Sequence, residues 1–271
     1  MNEGSSRSRP SEGSLGWGAE AIPVAVVSGS GLATIPEGYR VEDERTYKEL
    51  GWPVTDVAGH PNRLLVVRSP SGERTFLACG RPHPYEGWSA AEMERPLGDL
   101  SLWGVRAVVL TCAAGGLTEA AAPGTLVVVD EVVDLQSPQA GGEPPLLAAT
   151  GPALADRAVG ALSPHAAAVR GRYAAVWGPQ YETPADAAWL AGLADVVGMS
   201  GAPEARAARR LGLTAVMVAA VVNRSGGAMD HEEVLGGGAR LQSCLQAALA
   251  ALLAAVGPDG ARGGPHSREP G

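Results

Sequence analysis

The sequence lacks most of what would mark a secreted, membrane-spanning or nucleic-acid-binding protein. Only three cysteines occur in 271 residues, Cys79, Cys112 and Cys244, and they are scattered and odd in number. They form no CxxC pair, so neither a zinc site nor a disulfide framework is expected, no metal is called for, and a reducing cytoplasm fits best. No uninterrupted apolar run reaches the roughly 18 residues that a membrane span needs. The opening MNEGSSRSRPSEGSLG is polar and glycine-rich, without the apolar stretch of a secretory signal. Positive charge is in deficit: the net charge of −8 argues against a general nucleic-acid binder. Lys48 is the only lysine and Phe76 the only phenylalanine, while arginine, alanine and glycine are abundant. That bias looks like a GC-rich genome, and it lowers the weight of any single arginine as a functional signal.

What is present is apolar. Hydrophobic residues make up 45% of the chain, which excludes wholesale disorder and suffices for one sizeable core. Residues 1–20 read as a flexible leader and 257–271 as a disordered tail, leaving 21–256 as the folded domain. Within it, short β-branched runs alternate with helical stretches. Strands are expected at Ile22–Ser28, Arg63–Val67, Arg74–Cys79, Val105–Thr111, Thr125–Val133, Arg172–Trp177, Asp195–Met199 and Thr214–Val222. Helices are expected at Pro184–Leu193, Ala202–Leu211 and His231–Val256. This alternation predicts an α/β sandwich around one sheet, parallel or mixed. The segment Gln136–Gly151 breaks the rhythm and reads as a surface loop or an interface segment.

The chemistry-bearing residues share one placement: they follow the carboxyl ends of expected strands, where open α/β sheets bind ligands. Ser30 follows the first strand, Arg81 and His83 the third, and Ala113 to Gly116 the fourth. Tyr181 and Glu182, Met199 and Ser200, and then Asn223 follow three more. Singly these signals are weak. Gly29-Ser30-Gly31 is either an anion-binding turn or merely a tight one. Arg81 offers a planar fork for phosphate with His83 two residues on, in a loop stiffened by Pro82 and Pro84. His60 is as readily a structural histidine as a functional one. Glu182 beside Tyr181 suits hydrogen bonding plus stacking on a flat heterocycle, or is a carboxylate at a helix N-terminus ahead of Pro184. Ala113 to Gly116 is a ligand-facing turn or close packing.

Taken together, the blocks Ser30-Gly31-Leu32, Gly59-His60, Gly80 to Gly87, Ala113 to Leu117, Gly178 to Thr183, Val197 to Ser200 with Pro203-Glu204, Asn223 and His231 to Leu235 resemble the trimeric class of purine nucleoside phosphorylases. The likeness runs from about Ile22 to Leu253, and it marks the chain as a divergent member. The resemblance implies a single-domain three-layer α/β/α sandwich around a mixed, twisted sheet. It implies phosphate-dependent cleavage of 6-oxopurine ribonucleosides to free base and ribose 1-phosphate, with inorganic phosphate as co-substrate and no other cofactor, in a homotrimer. Phosphate would be held by Ser30, Arg81, His83, the Ala113 amide and Ser200, with His60 near its entrance. Glu182 would accept from the purine ring N–H, Asn223 would serve O6 and N7, and Tyr181 would lie against the base. Tyr85 and Met199 would touch the ribose hydroxyls, and His231 the 5′ hydroxyl. Asn223, Glu182 and His83 would stand closest to the chemistry.

The chain departs from that pattern at Cys112, where the family usually has Asn, at Val222, where it has Thr, and at Gly201. The segment after Asp134 is short and lacks the aromatic that the family sends across a subunit boundary. Two other readings therefore stand beside the first: a phosphorylase of modified or 5′-deoxy nucleosides, and a non-catalytic nucleoside-binding protein.

Overall fold

The computed structural model describes residues 17, 20–29, 31–137, 145–227 and 231–257. The expected leader and tail lie outside that range except for Trp17, Glu20 and Gly257.

The interior of the fold follows from strands that are apolar on both sides. Strand β1 (Val24–Ser28) is buried throughout. Its neighbours are β4 (Arg74–Cys79) and β5 (Ala107–Gly116), both parallel to it. Side chains alternate in direction along a strand. Ala25 and Val27 accordingly enter one hydrophobic cluster, while Val24 and Val26 enter the other. Helices α2 (Ala90–Leu102) and α5 (Ala202–Arg210) cover the first face. Helices α3 (Pro152–Leu162) and α6 (His231–Val256) cover the second. Continuous apolar strands are what a sheet covered on both faces requires.

The remaining strands are β2 (Arg40–Thr46), β3 (Arg63–Arg68), β6 (Leu126–Asp134), β7 (Leu146–Ala148), β8 (Ala168–Ala175), β9 (Val196–Gly198) and β10 (Thr214–Arg224). They complete a mixed sheet in the order β10-β6-β8-β9-β5-β1-β4-β3-β2, with β7 beside β6. A further pairing of β10 with β5 closes five of these strands into a ring. The two short helices are α1 (Tyr47–Leu50) and α4 (Pro184–Leu190). The mixed α/β architecture matches the expectation, and ring closure adds to it.

Several elements were not expected, each for a physical reason. Strand β2 reads RVEDERT and is largely exposed, so it carries no apolar period; it is a charged edge strand of the kind that resists edge-to-edge pairing. Helix α2 contains Pro96 and Gly98, which mask it, but Ser89 and Glu92 form a capping box at its start. Helix α3 opens on Pro152, a favoured first position. Part of the Gln136–Gly151 segment forms β7, paired with β6 through Val133 and Leu146.

Trp17, which falls in the expected leader, packs on this core. Its ring meets Phe76 edge-on at 5.4 Å and Trp103 at 6.0 Å. Trp103 in turn stacks on Trp52 at 5.8 Å, and Trp52 meets Tyr47 at 5.1 Å. The buried Tyr47 hydroxyl donates to the Gly80 carbonyl at 2.7 Å, which ties this aromatic cluster to the residue before Arg81.

Phe76 packs against both Trp17 and Trp103 in this cluster and is 1% exposed. Phe76→Ala should lower the unfolding free energy by about 3–5 kcal/mol, seen as a lower urea midpoint. A loss under about 1 kcal/mol would contradict the packing described.

Candidate active site

The site begins at a charge taken out of water. Arg81, just after β4, is 2% exposed. Its Nη2 donates to the carbonyls of Val27 at 2.7 Å, near the end of β1, and Thr111 at 2.8 Å, midway along β5. Its Nε lies 3.3 Å from Glu204 Oε1, an ion pair with both side chains buried. That contact lacks hydrogen-bond alignment, and both Nε and Nη1 are without a hydrogen-bond partner among the described residues. A buried guanidinium normally satisfies its donors. Nη1 lies about 4.0 Å from the place a β-carbon on Gly201 would occupy, beside Ser200.

His83 follows two residues later and is 4% exposed. Its backbone N–H donates to Glu86 Oε2 at 2.7 Å, and its Nδ1 lies 3.1 Å from the same oxygen. That contact fixes the ring through Nδ1 and leaves Nε2 for a ligand. Tyr85 stacks on the imidazole at 5.0 Å, and His60 meets it edge-on at 5.1 Å. His60 Nδ1 accepts from the Arg81 backbone N–H at 3.2 Å. Burial pushes the Glu86 carboxyl up, but hydrogen bonds from His83 and Thr55 outweigh it and hold the group below the usual carboxylate range. Burial pushes the Tyr85 phenol up to about 12, so it is a neutral donor at physiological pH.

Ser200 sits between β9 and α5 and is held from behind: its N–H donates to the Tyr173 hydroxyl at 3.4 Å. A β-carbon on Gly198 would come within 2.2 Å of that hydroxyl, so only glycine lets β9 approach Tyr173. The Cys112 thiol also bonds Tyr173, and burial pushes it up to about 12, so it stays protonated.

The opposite end of the cleft carries different chemistry. Tyr181 and Glu182 lie between β8 and α4, whose start is capped by Thr183 with Asp186. Glu182 Oε2 accepts from Ser225 Oγ at 2.7 Å. Asn223 is near the end of β10, just past a register shift against β5 between Val221 and Asn223. The extra residue is Val222; a bulge of this kind re-aims the side chain that follows. Asn223 Nδ2 donates to the Arg224 carbonyl at 3.0 Å.

Of the expected residues, His83, Ala113 and Ser200 line one cleft with Tyr85, Met199, Tyr181, Glu182 and Asn223. Arg81 and His60 do not line it; they form the buried layer behind His83. Ser30 lies outside the described residues. His231 begins α6, and its side chain is likewise outside them. Four contributors carried no expected role: Glu86, Glu204, Tyr173 and Ser225. Glu86 was readable as a carboxylate three residues after a histidine, and Glu204 as an acid in a helix's first turn. Tyr173 looks like core, and Ser225 has no local signal.

The cleft thus joins a donor-rich end, fit for an oxyanion, to a carboxylate and carboxamide fit for a flat heterocycle. A family model described as the phosphorylase superfamily matches residues 23–254. The purine nucleoside phosphorylase of Mycobacterium leprae is 34% identical over 85% of this chain and 88% of its own. That of Bos taurus is 30% identical over 89% and 91%. The solved Schistosoma mansoni purine nucleoside phosphorylase in complex with inosine is 27% identical, with a TM-score of 0.73 over 88% of this chain and 92% of that one.

Removing one member of a buried ion pair strands the other. Glu204→Ala should therefore cost about 3–5 kcal/mol of stability, whereas the double variant Arg81→Met with Glu204→Met should lose much less. Denaturant titration of the three proteins checks this, and a double variant weaker than Glu204→Ala would contradict it.

Proposed function

The chain belongs to the phosphorylase superfamily, and on that premise we propose that it is a purine nucleoside phosphorylase acting on 6-oxopurine ribonucleosides. The observation that carries this reading is the pairing of Glu182 and Asn223 with His83 and Ser200 in one cleft. Curated relatives named purine nucleoside phosphorylase, and solved relatives in complex with hypoxanthine and with inosine, support it.

Phosphate binds at His83, the Ala113 amide and Ser200 on the cleft wall, with Arg81 as a donor from the buried layer behind them and Ser30 completing the set. The donor-rich chemistry of that end fits a dianion, and the buried, unpartnered Nη1 fits a ligand oxygen. A phosphate oxygen attacks C1′ as the C1′–N9 bond breaks. The bonding pair leaves with N9, the base takes up a proton, and ribose 1-phosphate forms. Holding phosphate at C1′ turns a bimolecular step into a local one. The negative charge gained by the purine at N7 and O6 meets the Asn223 carboxamide, which stabilises the transition state more than the ground state. Glu182 accepts from the ring N–H, Tyr181 lies against the base, and Tyr85 and Met199 contact the ribose. His231 serves the 5′ hydroxyl, and His60 supports the phosphate loop through the Arg81 amide. The protein works as a homotrimer, and its three free thiols suit a reducing cytoplasm.

The direct test is release of hypoxanthine from inosine with and without phosphate. Release only with phosphate supports the reading; binding of inosine without any turnover would point to a non-catalytic nucleoside binder. Sedimentation should give a trimer, and a stable monomer with full activity would contradict that part.

Asn223→Asp should raise the adenosine-to-inosine ratio of kcat/KM by about tenfold or more, because a protonated carboxyl donates to N7 and its other oxygen accepts from a 6-amino group. An unchanged ratio in a folded, active variant would show that Asn223 does not read the base.

A further inference from the structure

Glu182 reaches the cleft from a segment without regular structure, between β8 and α4. A glutamate there has rotamer freedom to lose before it can meet a ligand. Ser225 removes part of that freedom by donating to Glu182 Oε2 at 2.7 Å, a short, charge-assisted contact. Ser225 is not itself among the residues that line the cleft.

The serine is held firmly in its own right. Its N–H donates to the Gly116 carbonyl at 3.0 Å, which fastens it to the end of β5. A β-carbon on Gly115 would come within 3.1 Å of Ser225 Cβ, so the room for this serine depends on that glycine. On its other side, a β-carbon on Gly226 would come within 2.9 Å of Ala187 Cβ in α4. The Ser225-Gly226 turn is therefore wedged between the end of β5 and the first turns of the helix that follows Glu182. The hydroxyl is preorganised by backbone that the rest of the fold already fixes.

A carboxylate has two oxygens, and Ser225 engages one of them. A purine edge with a ring N–H alone, as in hypoxanthine, needs one acceptor and finds Oε1. A purine edge with a ring N–H beside an amino group, as in guanine, presents two parallel donors and must share Oε2 with the serine. We propose that Ser225 is a positioning residue that sets the orientation of Glu182 and biases the site toward purines with a single donor at that edge. This deepens the reading of Glu182 as the acceptor for the base, and it rests on that reading.

The experiment compares kcat/KM for inosine and guanosine, and calorimetric binding of hypoxanthine and guanine, in the wild type, Ser225→Ala, Ser225→Cys and Glu182→Gln. The inosine-to-guanosine ratio should fall about three- to tenfold in Ser225→Ala, the worth of one hydrogen bond. Ser225→Cys, close in size with a weaker donor, should fall between wild type and Ser225→Ala, and it carries the test if the alanine variant does not fold. Free-base binding should shift in the same sense. A ratio unchanged in both Ser225 variants, with Glu182→Gln weakening both bases, would overturn the role of Ser225 alone. Purine binding and turnover unaffected by Glu182→Gln would instead overturn the assignment of Glu182, and this proposal with it.

Discussion

A guanidinium buried to 2% exposure is the constraint around which this site is organised. Removing such a charge from water is expensive, and it persists only when fixed partners surround it. Arg81 takes two of those partners from the strand carbonyls of Val27 and Thr111, and a third from Glu204 in the first turn of α5. Its position therefore requires β1, β5 and α5 to be in register with one another. The parallel pairing of Ser28 with Thr111 supplies the strand part of that requirement. Ring closure through β10 and β5 brings Asn223 to the same end of the sheet. The segments that carry the oxyanion end and the heterocycle end are thus anchored on strands whose hydrogen-bonded register is fixed.

A second tier of residues fixes the ones that face the cleft. Glu86 sets the ring of His83, Tyr173 backs Ser200, and Ser225 holds Glu182. Two departures from the resembled family pattern lie close by, Cys112 behind Ser200 and Val222 on the cleft wall. Cys112 meets the Tyr173 hydroxyl with a protonated thiol in place of an amide. Val222 is the inserted residue of the bulge before Asn223, so its side chain lines the cleft with an apolar surface where the family has a hydroxyl.

Much of this was legible in the sequence, for definable reasons. The core strands announce themselves because both faces are covered, so Ile22–Ser28 and Thr214–Val222 read as unbroken apolar runs. The site residues were legible as a set because they lie at or just past the carboxyl-end halves of strands, although Ala113 to Gly116 and Asn223, expected after their strands, are inside β5 and β10. What sequence missed has the opposite character. Strand β2 is charged and exposed, and α2 hides behind Pro96 and Gly98. Trp17 lies in a polar, glycine-rich stretch, yet its ring finds Phe76 and Trp103 across the fold. Ser225 and Tyr173 gain their meaning only from contacts across more than twenty residues of chain, which no local pattern carries.

The proposed function needs one cleft with an oxyanion end at His83 and Ser200, backed by the buried Arg81, and a purine end at Glu182 and Asn223. A crystal structure with phosphate and hypoxanthine bound together tests it most directly. Phosphate oxygens should lie within hydrogen-bond distance of Arg81 Nη1, His83 Nε2 and the Ser200 hydroxyl, with the base ring N–H on Glu182 and its N7–O6 edge on Asn223. Phosphate bound away from Arg81, or a base bound without contact to Glu182 and Asn223, would contradict it.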